Sequence, residues 1–350
     1  MRPVLVTLQV LTLLLAAALA AVPLPQATVE RYYADWLYPA LQTHLTSSSN
    51  ETGVALFDVA VLLQIITIVV LLARSAARAI RHRSVLPLLR GGLAIATVFA
   101  FVYLWFEAAW GLNYARVPLE VGIGYDGRRV TAAAVRTLAE RAVSETNNGY
   151  LSAHASGFPA IGDIPPSLVV AFHEVERRLG RSRPTVPGRP KRTVLSPFFR
   201  ASGTDGMHAP FLLETLLNPD LTPPERPAVL AHEWAHLAGY APEDDASFVG
   251  LIAAMRADAA GRYSAWLTLT FEAASQLPHD ERQQVLSGLA AGPRQDAQAI
   301  TMRLQSRIET VQRASWEAYD RYLKSQGVTD GVRSYSRVVQ LLLGSGALDW

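Results

Sequence analysis

The chain has 350 residues, a formal net charge of +2 and no cysteine. Without cysteine there is no thiolate nucleophile, cysteine-ligated zinc site or disulfide framework. Half of the residues are hydrophobic, only 18% are charged, and the apolar residues concentrate in the first third of the chain. This distribution predicts a membrane anchor followed by a soluble domain.

Three apolar stretches near the N-terminus each approach the roughly 20 residues needed to cross a bilayer. They predict transmembrane helices at about 4–22, 54–73 and 92–110. The first stretch also resembles a secretory signal peptide, because Ala18-Leu19-Ala20 fits a small-x-small cleavage site. We favour an uncleaved anchor, and we assign residues 1–114 to the membrane anchor and 115–350 to the soluble domain.

The loop between the second and third stretches carries positive charge only. Its charged residues are Arg74, Arg78, Arg81, Arg83 and Arg90. By the positive-inside rule this loop lies in the cytoplasm, which places residues 115–350 on the extracytoplasmic side. A short basic loop between two spans is a topology signal, so we expect the lipid bilayer as a partner and no nucleic acid.

The soluble part is predicted to be mostly helical. Helical periodicity covers 131–147, 166–179, 246–277 with a break near Gly261, and 296–326. The strand candidates are 193–195 and 207–213, joined by the turn signal Gly203-Thr204-Asp205-Gly206. They predict a small β-hairpin, which is either purely structural or an edge to which an extended peptide adds.

The sequence His232-Glu233-Trp234-Ala235-His236 follows that hairpin. In a helix, residues four apart lie on one face, so both histidines can ligate one metal ion. Glu233 is then placed as the general base that takes a proton from water at a catalytic zinc. Thr222 and Glu225 form a capping box at the start of this helix, and Gly239 ends it.

Three acids, Glu243, Asp244 and Asp245, open the next predicted helix. Acids in a first turn also complement the helix dipole, so they need have no other role. Catalytic zinc sites use three protein ligands, and a carboxylate is an accepted third. We predict Glu243 as that ligand, with Asp244 as the alternative; Asp244 or Asp245 could instead orient a ligating histidine.

Further site candidates lie outside the motif. Glu214 could orient substrate or a ligating histidine, or form an ordinary salt bridge. His208 could hydrogen-bond a reaction oxyanion, although a lone histidine on a strand is more often structural. Other possible oxyanion donors, which the sequence does not rank, are Arg262, Tyr263, Arg321 and Tyr335.

The segment HEWAHLAGYAPEDDASF, from 232 to 248, resembles the signature of a bacterial membrane family, domain of unknown function 3810. WGLNYARVPL, KRTVLSPFF, DGMHAPFLLETLLNPDL and YDRYLKSQGVTDGVRSYSRVVQLLL resemble that family in the same order. The resemblance implies that His232, Glu233 and His236 match its HExxH motif and Glu243 the first acid of its acidic segment. Asp245 and Ser247 depart from the more usual Glu and Asn.

These observations predict a mainly α protein of the bacterial inner membrane, with N-terminal transmembrane helices and a zincin-like, mostly helical extracytoplasmic domain. The family resemblance implies a zinc metallopeptidase that acts on a peptide or protein substrate. Zn²⁺ is the expected cofactor. The alternative is a non-catalytic envelope or scaffold protein that binds zinc, and a retained Glu233 argues against it because a structural site does not need that carboxylate.

Overall fold

Helices form most of the computed structural model, which describes residues 3–181, 183–328 and 337–350. The longer helices are α1 (Pro3–Ala21), α2 (Tyr38–Asn50), α3 (Leu56–His82), α4 (Leu86–Ala109), α5 (Ala132–Ser156), α6 (Pro166–Arg178), α7 (Ser196–Ser202), α8 (Arg226–Leu237), α9 (Glu243–Arg256), α10 (Ala259–Ser275), α11 (His279–Ser287), α12 (Ala291–Leu304), α13 (Glu309–Ser325) and α14 (Val338–Ser345). The strands are β1 (Pro190–Lys191), β2 (Gly206–Ala209) and β3 (Glu214–Leu217). The mainly α fold is therefore as predicted.

Helices α1, α3 and α4 are each long and apolar enough to cross a membrane. Both α1 and α3 pack against α4. The predicted spans are confirmed as helices, but the basic loop between the second and third is shorter than expected. Helix α3 continues to His82 because alanine and arginine are good helix formers, so three of the five arginines lie on its last turns.

The segment between α1 and α3 packs against the part of the chain that follows α4. The Tyr38 hydroxyl donates to the Leu237 carbonyl (2.9 Å), and the Thr46 hydroxyl donates to the Leu213 carbonyl (2.9 Å). Tyr38 and Thr46 are both buried. A helical stretch from residue 26 to 50 thus contributes to the same core as residues 115–350.

The main core lies between helices α5, α8, α9 and α10. Helix α8 contacts both α9 and α10. Gly250 permits the close approach of α9, because a Cβ there would lie 2.7 Å from the His232 backbone nitrogen. The N-terminal turn of α9 is thereby held beside the HEWAH helix.

The small sheet has the strand order β1-β3-β2, with β1 parallel and β2 antiparallel to β3. The predicted pairing of 193–195 with 207–213 is wrong. Thr193–Leu195 forms a turn into α7, because the Asp58 carboxylate accepts from the Thr193 hydroxyl (2.6 Å) and the Val194 N–H (2.8 Å). The hairpin pairs β2 with β3 instead.

Two predicted helices are interrupted, the first of them near Gly261 as predicted. The predicted 246–277 helix begins earlier, at Glu243, and is divided into α9 and α10, where the Asp258 side chain caps α10 by accepting from the Gly261 N–H (3.0 Å). The predicted 296–326 helix is divided into α12 and α13. There the Ile308 N–H donates to the Ala201 carbonyl (2.8 Å), a tertiary bond that local periodicity cannot reveal.

Candidate metal centre

Helix α8 is fixed at its start and along its buried face. The predicted capping box is present, and the Thr222 N–H donates to the Glu225 carboxylate (2.8 Å). The Trp234 side chain is fully buried, and its indole N–H donates to the Gly188 carbonyl (2.8 Å). This bond fixes the rotation of α8, so that the two histidines face away from the Trp234 pocket.

Three predicted ligands come together where α8 meets the start of α9. The Nε2 atoms of His232 and His236 lie 3.1 Å apart, and Glu243 Oε2 lies 3.1 Å from the first and 3.3 Å from the second. The Glu243 side chain is 4% exposed and that of His232 is 22% exposed. The cluster is therefore shielded from solvent at Glu243 and accessible to solvent at His232.

The spacing and chemistry of these atoms suit zinc. Tetrahedral zinc bonds to imidazole nitrogen or carboxylate oxygen at about 2.0–2.1 Å, which separates neighbouring ligand atoms by about 3.3 Å. Two histidines and a glutamate are also a ligand set of catalytic zinc sites. Among the described residues, His232, His236 and Glu243 form the group of histidine and acid side chains that lie close enough together to hold a metal ion.

Each ligand is oriented by a second contact. His236 Nδ1 lies 2.9 Å from the Tyr240 carbonyl oxygen, which can only accept, so Nδ1 carries a proton and Nε2 is the nitrogen directed at the cluster. Ser247 Oγ lies 3.2 Å from His232 Nδ1, and the Tyr319 hydroxyl donates to Glu243 Oε1. Such outer contacts fix ligand orientation in metal sites.

The turn at Gly239 brings the chain from the end of α8 back beside His236. Gly239 has a φ of 84°, in the left-handed region that favours glycine. The reversal brings the Tyr240 carbonyl back to His236 and leads through Pro242 into α9, whose first residue is Glu243. The role predicted for Gly239 is confirmed.

The cluster favours positive charge at its centre. Burial alone would raise the pKa of Glu243, but the charge of His236 and hydrogen bonds from both histidines hold it well below the usual value. Burial alone would lower the pKa of His236, but Glu243 outweighs it and raises that pKa to about 9. A buried carboxylate that stays ionised is suited to a metal cation.

Glu233 lies on the same helix but has a different environment. Its side chain is buried, and Oε2 has no hydrogen-bond partner in the described parts of the chain. The carboxylate occupies the space beside Gly206, where a Cβ would lie 2.5 Å from Oε1. Burial raises its pKa to about 7, although the two neighbouring histidines oppose the shift.

His208, on β2, lies beside the ligand cluster. Its ring centre is 4.2 Å from that of Trp110 and 6.2 Å from that of His236. Both ring nitrogens are buried and have no partner among residues 3–181, 183–328 and 337–350. Burial lowers the pKa of His208 well below its usual value, so the ring is neutral and keeps one N–H to donate.

The other acidic candidates lie elsewhere. Asp244, the alternative ligand, faces Arg337 at 3.5 Å and is not in the cluster. Burial, together with the charges of Asp244 and Glu120, raises the pKa of Asp245 to about 8. Glu214 accepts from Lys191 Nζ (2.7 Å) and from backbone N–H groups at the start of α3, so it is engaged away from the ligands.

The structure does not bring Tyr263, Arg262 or Arg321 to the cluster. The Tyr263 hydroxyl donates to Asp296 (2.5 Å), Arg262 donates to the Met255 carbonyl (3.4 Å) and Arg321 is exposed. Tyr335 lies outside the described residues.

Sequence reasoning gave no role to Tyr319 or Trp110. Both residues lie in segments that resemble the family, which is the sequence feature that could have indicated a role in the site. Neither is close enough in sequence to the HEWAH motif for its spacing to predict a contact. The structure places Tyr319 against Glu243 and the Trp110 ring 5.9 Å from that of His236.

Comparison with known proteins gives one family match. The family described as "Protein of unknown function (DUF3810)" matches residues 33–343. No curated protein and no solved structure matches the chain. The match begins before α2, ends at Leu343 within α14, and includes every residue of the candidate metal centre.

Proposed function

This chain belongs to the DUF3810 family, and we propose that it is a membrane-anchored zinc metallopeptidase with a zincin-like domain on the extracytoplasmic side. The observation that carries the proposal is the ligand cluster of His232, His236 and Glu243 with the buried Glu233 carboxylate beside it, whose Oε2 has no partner among the described residues. The basic ends of α3 and α4 lie opposite the metal centre, which supports this orientation.

The residues of the centre divide the chemistry between them. When bound by His232, His236 and Glu243, zinc would polarise a peptide carbonyl and lower the pKa of water. Glu233 accepts a proton from the attacking water through Oε2 and returns it to the amine nitrogen as the peptide bond breaks. His208 donates its free N–H to the oxygen that gains negative charge in the transition state.

The alternative of a structural zinc site is less well supported. Structural zinc is closed by four protein ligands, whereas this cluster has three in the described part of the chain and is open beside His232. A buried carboxylate oxygen such as Glu233 Oε2, which has no partner in the described part of the chain, is also costly to keep unless it has a task. Both observations favour hydrolysis over a scaffold role.

The test compares full-length wild type with Glu233→Gln on a peptide library, with products read by mass spectrometry. Glu233→Gln should keep its zinc and lose cleavage by about 10²–10⁴-fold, since it removes the proton acceptor but no ligand. Glu174→Gln is the matched control, because Glu174 is a half-exposed residue of α6 paired with Arg178. If wild type cleaves nothing that Glu233→Gln leaves intact, the peptidase proposal fails.

A further inference from the structure

The candidate metal centre lies at the end of the third apolar helix. Trp110 directly follows α4, and its ring centre is 4.2 Å from that of His208 and 5.9 Å from that of His236. One side chain therefore separates the end of the span from a proposed zinc ligand.

Other hydrogen bonds join the spans to the sheet region beside the centre. The Trp105 indole N–H, inside α4, donates to the Phe211 carbonyl in the β2–β3 turn (2.8 Å). In the first turn of α3, Asp58 accepts from the Val194 N–H just before α7 (2.8 Å). The ends of both helices are thus fixed against the elements around the metal centre.

Helix length sets the height of the centre above the bilayer. Trp110 follows Arg90 by 20 residues, about 30 Å of helix at 1.5 Å per residue. This equals the roughly 30 Å of a bilayer's hydrocarbon core. With Arg90 at the cytoplasmic surface, Trp110 reaches the outer interface, where tryptophan is enriched. The metal centre then lies at the surface of the outer leaflet.

An open apolar groove lies near this level, on the Tyr319 side of the ligand cluster. Its volume is about 690 Å³, and it lies between Phe198 on α7 and one face of α13 that includes Ala314, Ala318 and Tyr322. Tyr319, which donates to Glu243, also lines it. The Tyr322 ring lies 6.2 Å from Phe106, in the last turn of α4, so the groove floor is at the end of the span.

The groove margin on the membrane side is exposed and apolar. Val194 is 74% exposed and Phe198 is 44% exposed, and the backbone of Val194 is bonded to Asp58 at the start of α3. Apolar side chains at the level of the membrane interface can contact both lipid and a polypeptide that emerges from the bilayer.

We infer that the substrate is another membrane-anchored polypeptide, cleaved in the segment that directly follows its transmembrane helix, with apolar side chains of that segment in the α7–α13 groove. The inference rests on the proposed peptidase function. A chain emerging from the bilayer reaches the centre without leaving the interface, whereas a free peptide must find it by diffusion.

The test uses full-length protein in liposomes with three forms of one probe, a randomised ten-residue segment. It is fused directly to a single transmembrane helix, fused through a 20-residue Gly/Ser spacer, or supplied as free peptide, and products are read by mass spectrometry. We expect the directly fused form to be cleaved at least tenfold faster than the others. All cleavage should be lost in Glu233→Gln.

A second variant tests the groove. Ala318→Trp should slow cleavage of the directly fused probe at least tenfold with zinc content unchanged, whereas Ala133→Trp, at an exposed site on α5, should have no effect. Cleavage of the free or spaced probe at the same rate as the fused one overturns the inference and leaves the peptidase proposal standing. An Ala318→Trp variant as fast as wild type overturns the groove assignment, as expected if lipid fills it. No cleavage of any form overturns both proposals.

Discussion

Glu233 and Glu243 are both buried beside the same two histidines, yet their contacts give them different properties. Both oxygens of Glu243 are engaged, Oε2 by the histidines and Oε1 by Tyr319. Glu233 Oε2 has no such contact within the described residues. One carboxylate is therefore fixed as an anion, whereas the other is available to exchange a proton.

The contact between Tyr319 and Glu243 gives a prediction about metal affinity. Tyr319→Phe should weaken zinc binding about 10–100-fold, because loss of an outer hydrogen bond leaves the ligating carboxylate less well oriented. Competition with a chromogenic chelator measures this change. Tyr32→Phe, at an exposed tyrosine, should bind zinc like wild type. Equal affinity of all three proteins would contradict the role given to Tyr319.

His208 gives a prediction about turnover. His208→Phe keeps an aromatic ring against Trp110 but removes the N–H, so kcat should fall about 10²–10³-fold with zinc retained. Peptide kinetics and metal analysis of the same preparation measure the two effects separately. His279→Phe, at an exposed histidine, is the control and should match wild type. A fall in kcat of less than twofold would remove His208 from the mechanism.

For individual residues, the sequence predicts those contacts of the metal centre that depend on spacing along one helix or turn. His232 and His236 share a helix face by spacing alone, and Glu243 follows after one turn of the chain at Gly239. Tyr319 is 76 residues from Glu243, so only the packing of α13 brings them together. Asp244 cannot be separated from Glu243 by sequence, because a rotation about α9 decides which acid faces the histidines.

At the scale of elements, a buried ion pair joins the sheet to the second apolar helix. Lys191 Nζ on β1 lies 2.7 Å from Glu214 Oε1 on β3, and both side chains are almost fully buried. The same carboxylate accepts from the N–H groups of Leu56 (3.0 Å) and Phe57 (2.6 Å) at the start of α3. Glu214 thus accepts hydrogen bonds from backbone N–H groups that have no partner within the first turn of α3.

Removing this carboxylate should destabilise the fold. Glu214→Ala leaves the Lys191 charge buried without its partner, which costs about 3–5 kcal/mol. Denaturant unfolding of the full chain in detergent measures the loss. Glu174→Ala, which breaks the half-exposed pair with Arg178, should change stability little. If the two variants unfold alike, the pair does not hold the sheet to the span.

The boundaries of helices and turns show where local sequence patterns are insufficient to predict the structure. The start of α8 was predictable because the Thr222 and Glu225 capping box acts within four residues. The turn at 193–195 was not, since its partner Asp58 belongs to the second span. The break between α12 and α13 likewise depends on a bond to Ala201.

In the whole molecule, the N-terminal apolar helices and the helical domain that follows them are interleaved. The sequence predicts three apolar spans well, because their length and composition suffice. It does not predict that residues 26–50 enter the core formed by the later helices, since that depends on contacts such as Tyr38 to Leu237 and Gln42 to Val186. Experiments on the metal centre therefore call for the full chain rather than residues 115–350.

Metal analysis combined with X-ray absorption on the full-length protein tests whether His232, His236 and Glu243 hold one zinc ion. We predict one zinc per chain, with imidazole nitrogen and carboxylate oxygen at about 2.0–2.2 Å. His236→Ala should lose the metal, whereas His279→Ala, at an exposed histidine, should keep it. A wild-type protein without zinc, or zinc retained equally in His236→Ala, would contradict the account.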